Sequence, residues 1–238
     1  MAETKDPNLG KFLSLCGVSS RRGALELIRA GRVGVNGVVE FNPARRISPG
    51  EVVALDGEVV AVPKRFHYVM LNKPRGYVCS NADPHAEKLA VDLLRGNYPW
   101  FPRSAGRLDK ESEGLIVFSD DGAYLERVAH PRYMVCKRYE VTVARELAEA
   151  ERARMVSGIA DDGEVLKVIS VDRLGGNRYI FKLNEGKKRE IRRLCRACGA
   201  PVLSLKRISV GALELGELKS GESRELSADE VEKSLVPM

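Results

Sequence analysis

The sequence predicts an α+β protein, with a small amino-terminal unit and a larger unit built on a mainly antiparallel mixed sheet flanked by helices. Two observations predict this class. Near the amino terminus, Asn-Gly and Asp-Gly pairs separate short valine-rich runs, and further along the apolar runs follow one another without a regular alternation of strand and helix. Hydrophobic residues make up 44% of the 238 positions. That share is sufficient for a buried core, so we expect a soluble, folded protein.

The first 60 residues predict a helix followed by two hairpins. Ser20 can cap a helix whose apolar residues lie at helical spacing, and Gly31 can end it, so we expect a helix from about 20 to 30. Asn36-Gly37 lies between two valine pairs, which predicts a two-residue hairpin turn. A second pair of strands is expected at 52–55 and 58–61, on either side of another Asp-Gly turn.

Residues 61–66 interrupt the apolar pattern and predict a linker, so we expect domains at 1–60 and 67–238. Gly-rich turns separate the strands predicted in the larger domain. We expect strands at 68–72, 115–119, 138–143, 165–171 and 178–183, and helices at 123–129, 146–157 and 187–198.

Positive charge is concentrated in one stretch of the chain. The net charge is +6, and the segment from Lys182 to Arg207 contains nine basic and two acidic residues. Such a basic stripe is typical of a protein that binds a polyanion, although a solvated helix face can also carry such a run.

The helix predicted at 187–198 carries an apolar stripe of Ile191, Leu194, Cys195 and Cys198, so both thiols are expected in the core. A structural zinc site would need a second pair of ligands at comparable spacing. The five cysteines are scattered and odd in number, which indicates reduced thiols.

No run is long and apolar enough to be a membrane span or a signal peptide, so we expect a cytoplasmic protein that does not bind membranes.

Motifs for metal and nucleotide chemistry are missing from the sequence. The three histidines lack ligand spacing, and there is no Gly-rich phosphate loop or dinucleotide fingerprint. The pairs Asp120-Asp121 and Asp161-Asp162 could hold a divalent cation for nuclease chemistry, but both adjoin a glycine, where turns are common. We therefore expect no metal and no cofactor.

The segment 106–114 combines an arginine and an aspartate in a loop that leads into an apolar strand. A rigid strand can hold the Asp109 carboxylate next to an RNA chain. A surface ion pair between Arg107 and Asp109 is the alternative.

Three motifs stand out between Leu9 and Val60: Lys11-Phe12-Leu13, the run from Cys16 to Arg22, and the run from Gly31 to Gly37. With these motifs, the stretch resembles an S4 RNA-binding domain. The resemblance implies RNA binding through the basic residues of this domain. These are Lys11, Arg21, Arg22, Arg29 and Arg32.

Four further motifs follow in order along the chain, the runs 71–77, 106–117, 137–141 and 185–193. Together they resemble the motifs of the pseudouridine synthases of the RsuA/RluB type, which act on ribosomal RNA. With the S4-like domain, this resemblance extends from about residue 9 to 230. It implies the isomerisation of uridine to pseudouridine without a cofactor.

The resemblance also implies roles for individual residues. Asp109 corresponds to the nucleophile, and Arg192 to a basic partner that pairs with it. Tyr139 corresponds to the tyrosine that stacks on the target base. Arg107 would fill the space that the flipped uridine vacates. Leu205 would pack under the base, and Lys73 would support the site.

Three more arginines, Arg189, Arg193 and Arg207, are expected to contact the substrate. The expected partner is ribosomal RNA or a ribosomal subunit precursor, bound by a monomer. Glu190 in the last motif favours the large-subunit RNA. Two other functions remain open from the residues: a non-catalytic S4-type RNA-binding or ribosome-assembly factor, and a metal-dependent ribonuclease built on the acidic pairs.

Overall fold

The computed structural model describes residues 6–81, 83, 85–98 and 102–237. Contacts within the chain divide it into two units. The amino-terminal unit contains residues 6–67 together with Tyr98 and Asp120–Gly122, and the sheet unit contains the other described residues.

The amino-terminal unit has two helices and a four-stranded sheet in the order β2-β1-β3-β4. Asn36 and Gly37 have φ values of 53° and 81°, as a primed hairpin turn requires. The predicted helix and both hairpins are confirmed, whereas the first helix was not predicted. The elements are α1 Leu9–Leu15, α2 Arg21–Arg29, β1 Val33–Val35, β2 Val38–Val39, β3 Val53–Leu55 and β4 Glu58–Val60.

Side chains cap both helices of this unit. The Asn8 side chain accepts a hydrogen bond from the backbone N–H of Lys11 at 2.8 Å, and that of Ser20 accepts one from Gly23 at 3.1 Å. Apolar residues of both helices and of the sheet form one core, so the unit has its own hydrophobic interior. Its fully buried members are Leu9, Leu13, Ala24, Ile28, Val33 and Val53.

The sheet unit is built on a nine-stranded mixed sheet, whose main path runs β11-β12-β8-β13-β7-β5-β15. Among the described strands, β7 and β13 form its one parallel pairing. The expected mainly antiparallel mixed sheet is confirmed. The nine strands of this sheet are β5 Tyr68–Lys73, β6 Arg103–Ser104, β7 Glu113–Ser119, β8 Lys137–Val143, β11 Ser170–Gly175, β12 Arg178–Leu183, β13 Val202–Val210, β14 Leu213–Glu214 and β15 Ser223–Glu225. Strands β9 Ile159–Asp161 and β10 Glu164–Leu166 form a separate two-stranded sheet.

In the described part of the chain, four α-helices accompany this sheet, and two short 3₁₀ helices lie at Ala90–Leu93 and Pro131–Tyr133. The strand predicted at 165–171 is wrong, because this segment is divided between the β9–β10 hairpin and β11. The α-helices are α3 Gly122–Ala129, α4 Glu149–Ser157, α5 Glu190–Ala197 and α6 Ala228–Lys233.

Helix α5 packs its apolar stripe against the sheet. Ile191, Leu194, Cys195 and Cys198 are all buried, as predicted, in a core that includes residues of β8, β12 and β13. A second core lies among β5, β7 and α3. Within the residues that the structure describes, no helix is both long and apolar enough to cross a bilayer.

We expect Leu194→Ala to lower the free energy of unfolding by about 2 to 5 kcal/mol, since Leu194 is fully buried and its truncation leaves a cavity. Leu203→Ala is the matched control, because Leu203 is 55% exposed and its truncation should change stability by less than about 0.5 kcal/mol. Urea unfolding of both variants measures the difference. Equal losses would contradict the assignment of α5 to the core.

Candidate active site

The register of the sheet places four residues in one row across neighbouring strands. Lys73 of β5 pairs with Gly114 of β7, and Gly114 pairs with Arg207 of β13. Arg207 in turn pairs with Tyr139 of β8. Three of the sequence motifs are therefore brought side by side, although they are far apart along the chain.

Gly114 is required where β7 and β13 meet. A Cβ atom at this position would lie 2.3 Å from the carbonyl oxygen of Arg207 and 2.7 Å from its backbone nitrogen. Gly114 also has a φ of 105°, a conformation that other residues rarely adopt. Only glycine allows the two strands to approach this closely.

A cavity of about 550 Å³ opens on the sheet unit. One wall is the loop 106–112, which leads into β7, and another is the segment 186–192, which leads into α5. Tyr139 and Leu205 line the cavity from adjacent strands. The apolar residues Leu183 and Ile191 also line it and are almost fully buried, so the lining combines apolar and charged side chains.

Asp109 lies in the loop wall of this cavity and is half-buried. Its backbone carbonyl accepts a hydrogen bond from the N–H of Ser112 at 3.0 Å, which closes a turn within the loop. The charge of Asp109 acts on Arg189 and Arg192 across the cavity. The structure therefore brings together the carboxylate and the cations that the sequence motifs had singled out.

Arg192 contacts the loop of Asp109 rather than its carboxylate. The guanidinium donates to the carbonyl oxygen of Glu111 at 3.1 Å and to Oγ of Ser112 at 3.2 Å. Burial lowers the pKa of Arg192, the nearby Arg189 lowers it further, and the charge of Asp109 opposes both effects. The direct ion pair predicted between Arg192 and Asp109 is thus replaced by attraction at longer range.

Arg189 lines the cavity from the residue before α5. It has a left-handed backbone conformation, with φ 54° and ψ 31°. Its Nη1 lies 2.7 Å from Oε2 of Glu111, and this hydrogen bond is the main reason that the pKa of Arg189 is raised. Arg107 also lines the cavity and is exposed. Arg189 is therefore held by Glu111 at the cavity, whereas no salt bridge to Arg107 is found among the described residues.

Three predicted site residues do not line the cavity: Lys73, Arg207 and Arg193. Lys73 is fully buried, and its ammonium group donates to the carbonyl oxygens of Pro74 and Tyr77. Nε of Arg207, in a side chain that is 3% exposed, donates to the Leu115 carbonyl oxygen at 2.6 Å. Lys73 thus has contacts suited to a supporting role, but Arg207 is bonded internally rather than presented to a substrate.

Arg193 is also bonded internally. Its guanidinium lies 2.5 Å from Oδ2 of Asp161 and 2.7 Å from Oε2 of Glu164, and so ties α5 to the β9–β10 hairpin. The expectation that Arg193 and Arg207 contact the substrate does not agree with these positions. In the folded protein, Arg193 binds carboxylate groups and Arg207 binds a backbone carbonyl group. The position of these arginines in the basic stripe does not predict such internal partners.

Glu190 anchors the segment that forms the second wall. Its carboxylate accepts hydrogen bonds from the backbone N–H groups of Lys187, at 3.0 Å, and Lys167, at 3.3 Å, and the residue is only 3% exposed. Burial raises the pKa of this carboxyl group above its ordinary value. Glu190 also lines the cavity, and its carboxylate is used to hold the cavity wall in place through these backbone hydrogen bonds.

The structure adds residues that the sequence analysis did not single out. Cys79 lines the cavity, and its Sγ accepts a hydrogen bond from the N–H of Leu108 at 3.4 Å. Glu111 binds Arg189 through its side chain and Arg192 through its carbonyl group. Glu111 could have been predicted as a site residue, because it lies within the motif that contains Asp109. Nothing in the sequence around Cys79 predicts that it lines the cavity.

The amino-terminal unit has a cavity of its own, of about 620 Å³. Lys11, Arg21 and Arg22 line it, so three of the five predicted RNA-binding residues lie together. Arg29 does not line this cavity, and Arg32 forms a salt bridge with Asp56 at 2.5 Å.

The acidic pairs have other partners. Asp120 accepts hydrogen bonds from the backbone and the ring of His67, and Asp161 is bonded to Arg193. Asp162 occupies the left-handed position of the β9–β10 turn. Within the part of the chain that the structure describes, no group of three or more His, Cys, Asp or Glu residues could hold a metal ion.

Comparison with protein families gives two matches. Residues 67–197 match the family described as RNA pseudouridylate synthase, and residues 9–53 match the S4 domain. The first match contains the loop 106–112 and the segment 186–192, and the second contains the basic cavity of the amino-terminal unit.

Similar proteins match over almost the whole chain. An uncharacterised RNA pseudouridine synthase of Aquifex aeolicus is 36% identical, with 94% of each chain covered. The ribosomal small subunit pseudouridine synthase A of Salmonella typhimurium is 32% identical, with coverage of 94% of this chain and 97% of the relative. A crystal structure of a pseudouridylate synthase superposes with a TM-score of 0.70 at 30% identity, covering 95% of this chain and 99% of the other.

We expect Gly114→Ala to lower the free energy of unfolding by about 2 to 4 kcal/mol, because the added methyl group meets the backbone of Arg207. Gly163→Ala is the control: Gly163 also has a positive φ, but nothing lies within 4 Å of its added Cβ. The control should lose only about 1 to 2 kcal/mol. Thermal unfolding measures both, and a smaller loss in Gly114→Ala would refute the close approach of β7 and β13.

The raised pKa of Glu190 predicts a pH-dependent effect of Glu190→Gln. The folded protein holds the proton of this group more tightly than the unfolded chain does, so its contribution to stability falls as pH rises above about 4.3. The glutamine does not titrate. The stability of the variant relative to the wild type should therefore increase as pH rises through this range and then level off.

Urea unfolding at several pH values tests this expectation. Glu230→Gln is the control of opposite sign, because the hydrogen bond from Arg224 lowers the pKa of Glu230 to about 2. The relative stability of this control should fall between about pH 2 and about pH 4. A relative stability of Glu190→Gln that declines with rising pH would contradict the burial of its carboxylate.

Proposed function

Since this chain belongs to the RNA pseudouridine synthase family and carries an S4 domain, we propose that it isomerises uridine in ribosomal RNA with Asp109 as the nucleophile. The observation that carries the proposal is the position of Asp109 in the cavity wall, together with Tyr139, Leu205 and Arg192. An acidic, an aromatic, an apolar and a basic side chain thus meet in one place.

The reaction rearranges a single nucleotide. The bond between C1′ of the ribose and N1 of the base breaks, the base turns, and a bond forms between C1′ and C5. C5 loses its hydrogen as a proton, and N1 gains a proton. Asp109 could attack C1′ of the sugar or the base itself, and both routes use its carboxylate as a nucleophile. The charges of Arg189 and Arg192, in the segment 186–192, attract that carboxylate.

The apolar side of the cavity suits the uracil ring. Tyr139 and Leu205 lie on neighbouring strands, so a base could stack on the ring of Tyr139 while Leu205 packs beneath it. The Tyr139 hydroxyl group could also assist the transfer of the proton from C5. These roles account for a tyrosine that is only partly buried in an otherwise apolar core.

A uridine within a stacked helix must be flipped out before it can enter this cavity, at a cost of a few kcal/mol. We assign to Arg107 the role of filling the space left in the RNA, because it is exposed at the cavity and carries a long cationic side chain. The basic cavity of the amino-terminal unit, with Lys11, Arg21 and Arg22, would hold the RNA by its phosphates.

The ribosomal subunit whose RNA is modified is not fixed by the reaction itself. The sequence argument for large-subunit RNA depends on Glu190, whose buried carboxylate binds backbone N–H groups and is therefore not a contact to RNA. The Salmonella typhimurium relative is named for the small subunit. We therefore infer that small-subunit RNA is the better first substrate, with large-subunit RNA assayed in parallel.

We expect Asp109→Asn to abolish isomerisation, by roughly a factor of 10⁴ or more, because the amide is not a nucleophile. Release of tritium from ribosomal RNA labelled at uridine C5 measures the reaction directly, since C5 loses its hydrogen when the new bond forms. The wild-type protein should release tritium from one of the two subunit RNAs. Asp109→Asn should release none while it still binds RNA.

Asp162→Asn is the matched control. It makes the same chemical change in the β9–β10 turn, where asparagine tolerates the left-handed conformation, and it should leave tritium release unchanged. Full activity of Asp109→Asn would exclude Asp109 as the nucleophile. No release by the wild-type protein from either RNA or from ribosomal particles would favour a non-catalytic role in RNA binding.

A further inference from the structure

The mouth of the active-site cavity is bridged by an ion pair that the proposed reaction does not use. Nη1 of Arg189 lies 2.7 Å from Oε2 of Glu111, and each side chain is 44% exposed. Arg189 lines the cavity, and Glu111 lies between two residues that do, Lys110 and Ser112. The pair therefore joins the segment 186–192 to the loop 106–112, which contains Asp109.

Arg189 differs from the other exposed cations at this cavity. Arg107 and Lys188 also line it and are exposed. In the described part of the chain, neither has a carboxylate within salt-bridge distance, whereas the guanidinium of Arg189 is occupied by Glu111. The carboxylate thus neutralises one of the cations that could otherwise bind an anionic ligand.

A carboxylate and a phosphate are recognised by a guanidinium group in the same way, through hydrogen bonds from its planar N–H groups. RNA places a phosphate on each side of any nucleotide that it presents to the cavity. Because an exposed ion pair contributes little free energy in water, a phosphate can take the place of the Glu111 carboxylate on Arg189. The exchange would leave the Arg192 contact unchanged, since Arg192 binds the backbone carbonyl group of Glu111.

We propose that Glu111 is a specificity-determining residue, which occupies a phosphate site at Arg189 in the free protein and yields it to an RNA backbone phosphate. The inference deepens the proposed function, since it requires RNA to be the ligand of this cavity. An RNA that cannot place a phosphate at Arg189 leaves the ion pair intact and gains nothing from this cation. Glu111 thereby weakens the binding of RNAs whose backbone does not bring a phosphate to Arg189.

Glu111→Gln tests the proposal, because it removes the charge and keeps the length of the side chain and the backbone carbonyl group. We expect this variant to bind ribosomal RNA about two- to fivefold more tightly, in line with the small energy of an exposed ion pair. Its affinity should also fall more steeply with salt, by about one unit in the slope of log K against log salt concentration, because one more cation is free to displace counterions.

The measurement is RNA binding by the full chain in an Asp109→Asn background, where no substrate is consumed. Transcripts of both ribosomal RNAs serve as probes. Glu111→Gln, Arg189→Gln and the combination of both form a double-mutant cycle. The gain in affinity from Glu111→Gln should vanish when Arg189 is also replaced. Circular dichroism and thermal unfolding verify that each variant is folded.

Glu149→Gln controls for net charge, because it removes the same charge from the exposed first turn of α4, away from the cavity. It should tighten binding less than Glu111→Gln does. The proposal is overturned if Glu111→Gln matches this control, or if its gain persists without Arg189. Since binding is measured without turnover, a failure here is distinct from a failure of the proposed isomerisation, which the tritium assay detects.

Discussion

The parallel contact of β7 with β13 is the interaction on which the cavity depends. It consists of two residue pairs, Glu113 with Lys206 and Gly114 with Arg207. Among the described strands, this contact joins the β5–β7 side of the sheet to the side that contains β8. The loop of Asp109 leads into the first side, and Tyr139 belongs to the second. A shift at this contact would move the carboxylate relative to the aromatic ring.

The row of paired residues that includes Gly114 also places two cationic side chains in the interior of the sheet. Lys73 and Arg207 are buried in one row, and each is held by backbone carbonyl groups rather than by a carboxylate. Burial lowers the pKa of Lys73, and it lowers that of the nearby Lys137 to about 8, with Arg207 acting in the same direction. Burial therefore disfavours the charged form of both lysines, so each amine in this part of the sheet loses its proton more readily than it would in water.

Features that depend on residues close together along the chain could be predicted from the sequence. The Asn36-Gly37 turn and the apolar stripe of α5 follow from local conformational preference and helical periodicity, and both were predicted correctly. The motif around Asp109 also located the cavity. Strand β13 was not predicted, because its first six residues belong to the basic stripe, which was interpreted as an RNA-binding surface.

The partners of the cations could not be predicted in the same way. Arg192, Arg193 and Arg207 look alike in the sequence, yet one faces the cavity, one binds Asp161 and one binds a carbonyl oxygen of β7. Which acceptor meets a guanidinium group depends on contacts between residues that are distant in the chain. Resemblance to a family supplies the reaction, but it does not supply these local contacts.

The position of β13 also has a consequence for how the protein acquires its activity during synthesis. Its Arg207 bonds to Leu115, 92 positions earlier in the chain, and Leu205 completes the cavity beside Tyr139. Contacts of such long range form late, whereas an amino-terminal domain with its own core can fold while the rest is still being translated. A nascent chain would thus gain its RNA-binding unit first and its reactive cavity only after β13 has emerged, so partly made chains could hold RNA without modifying it.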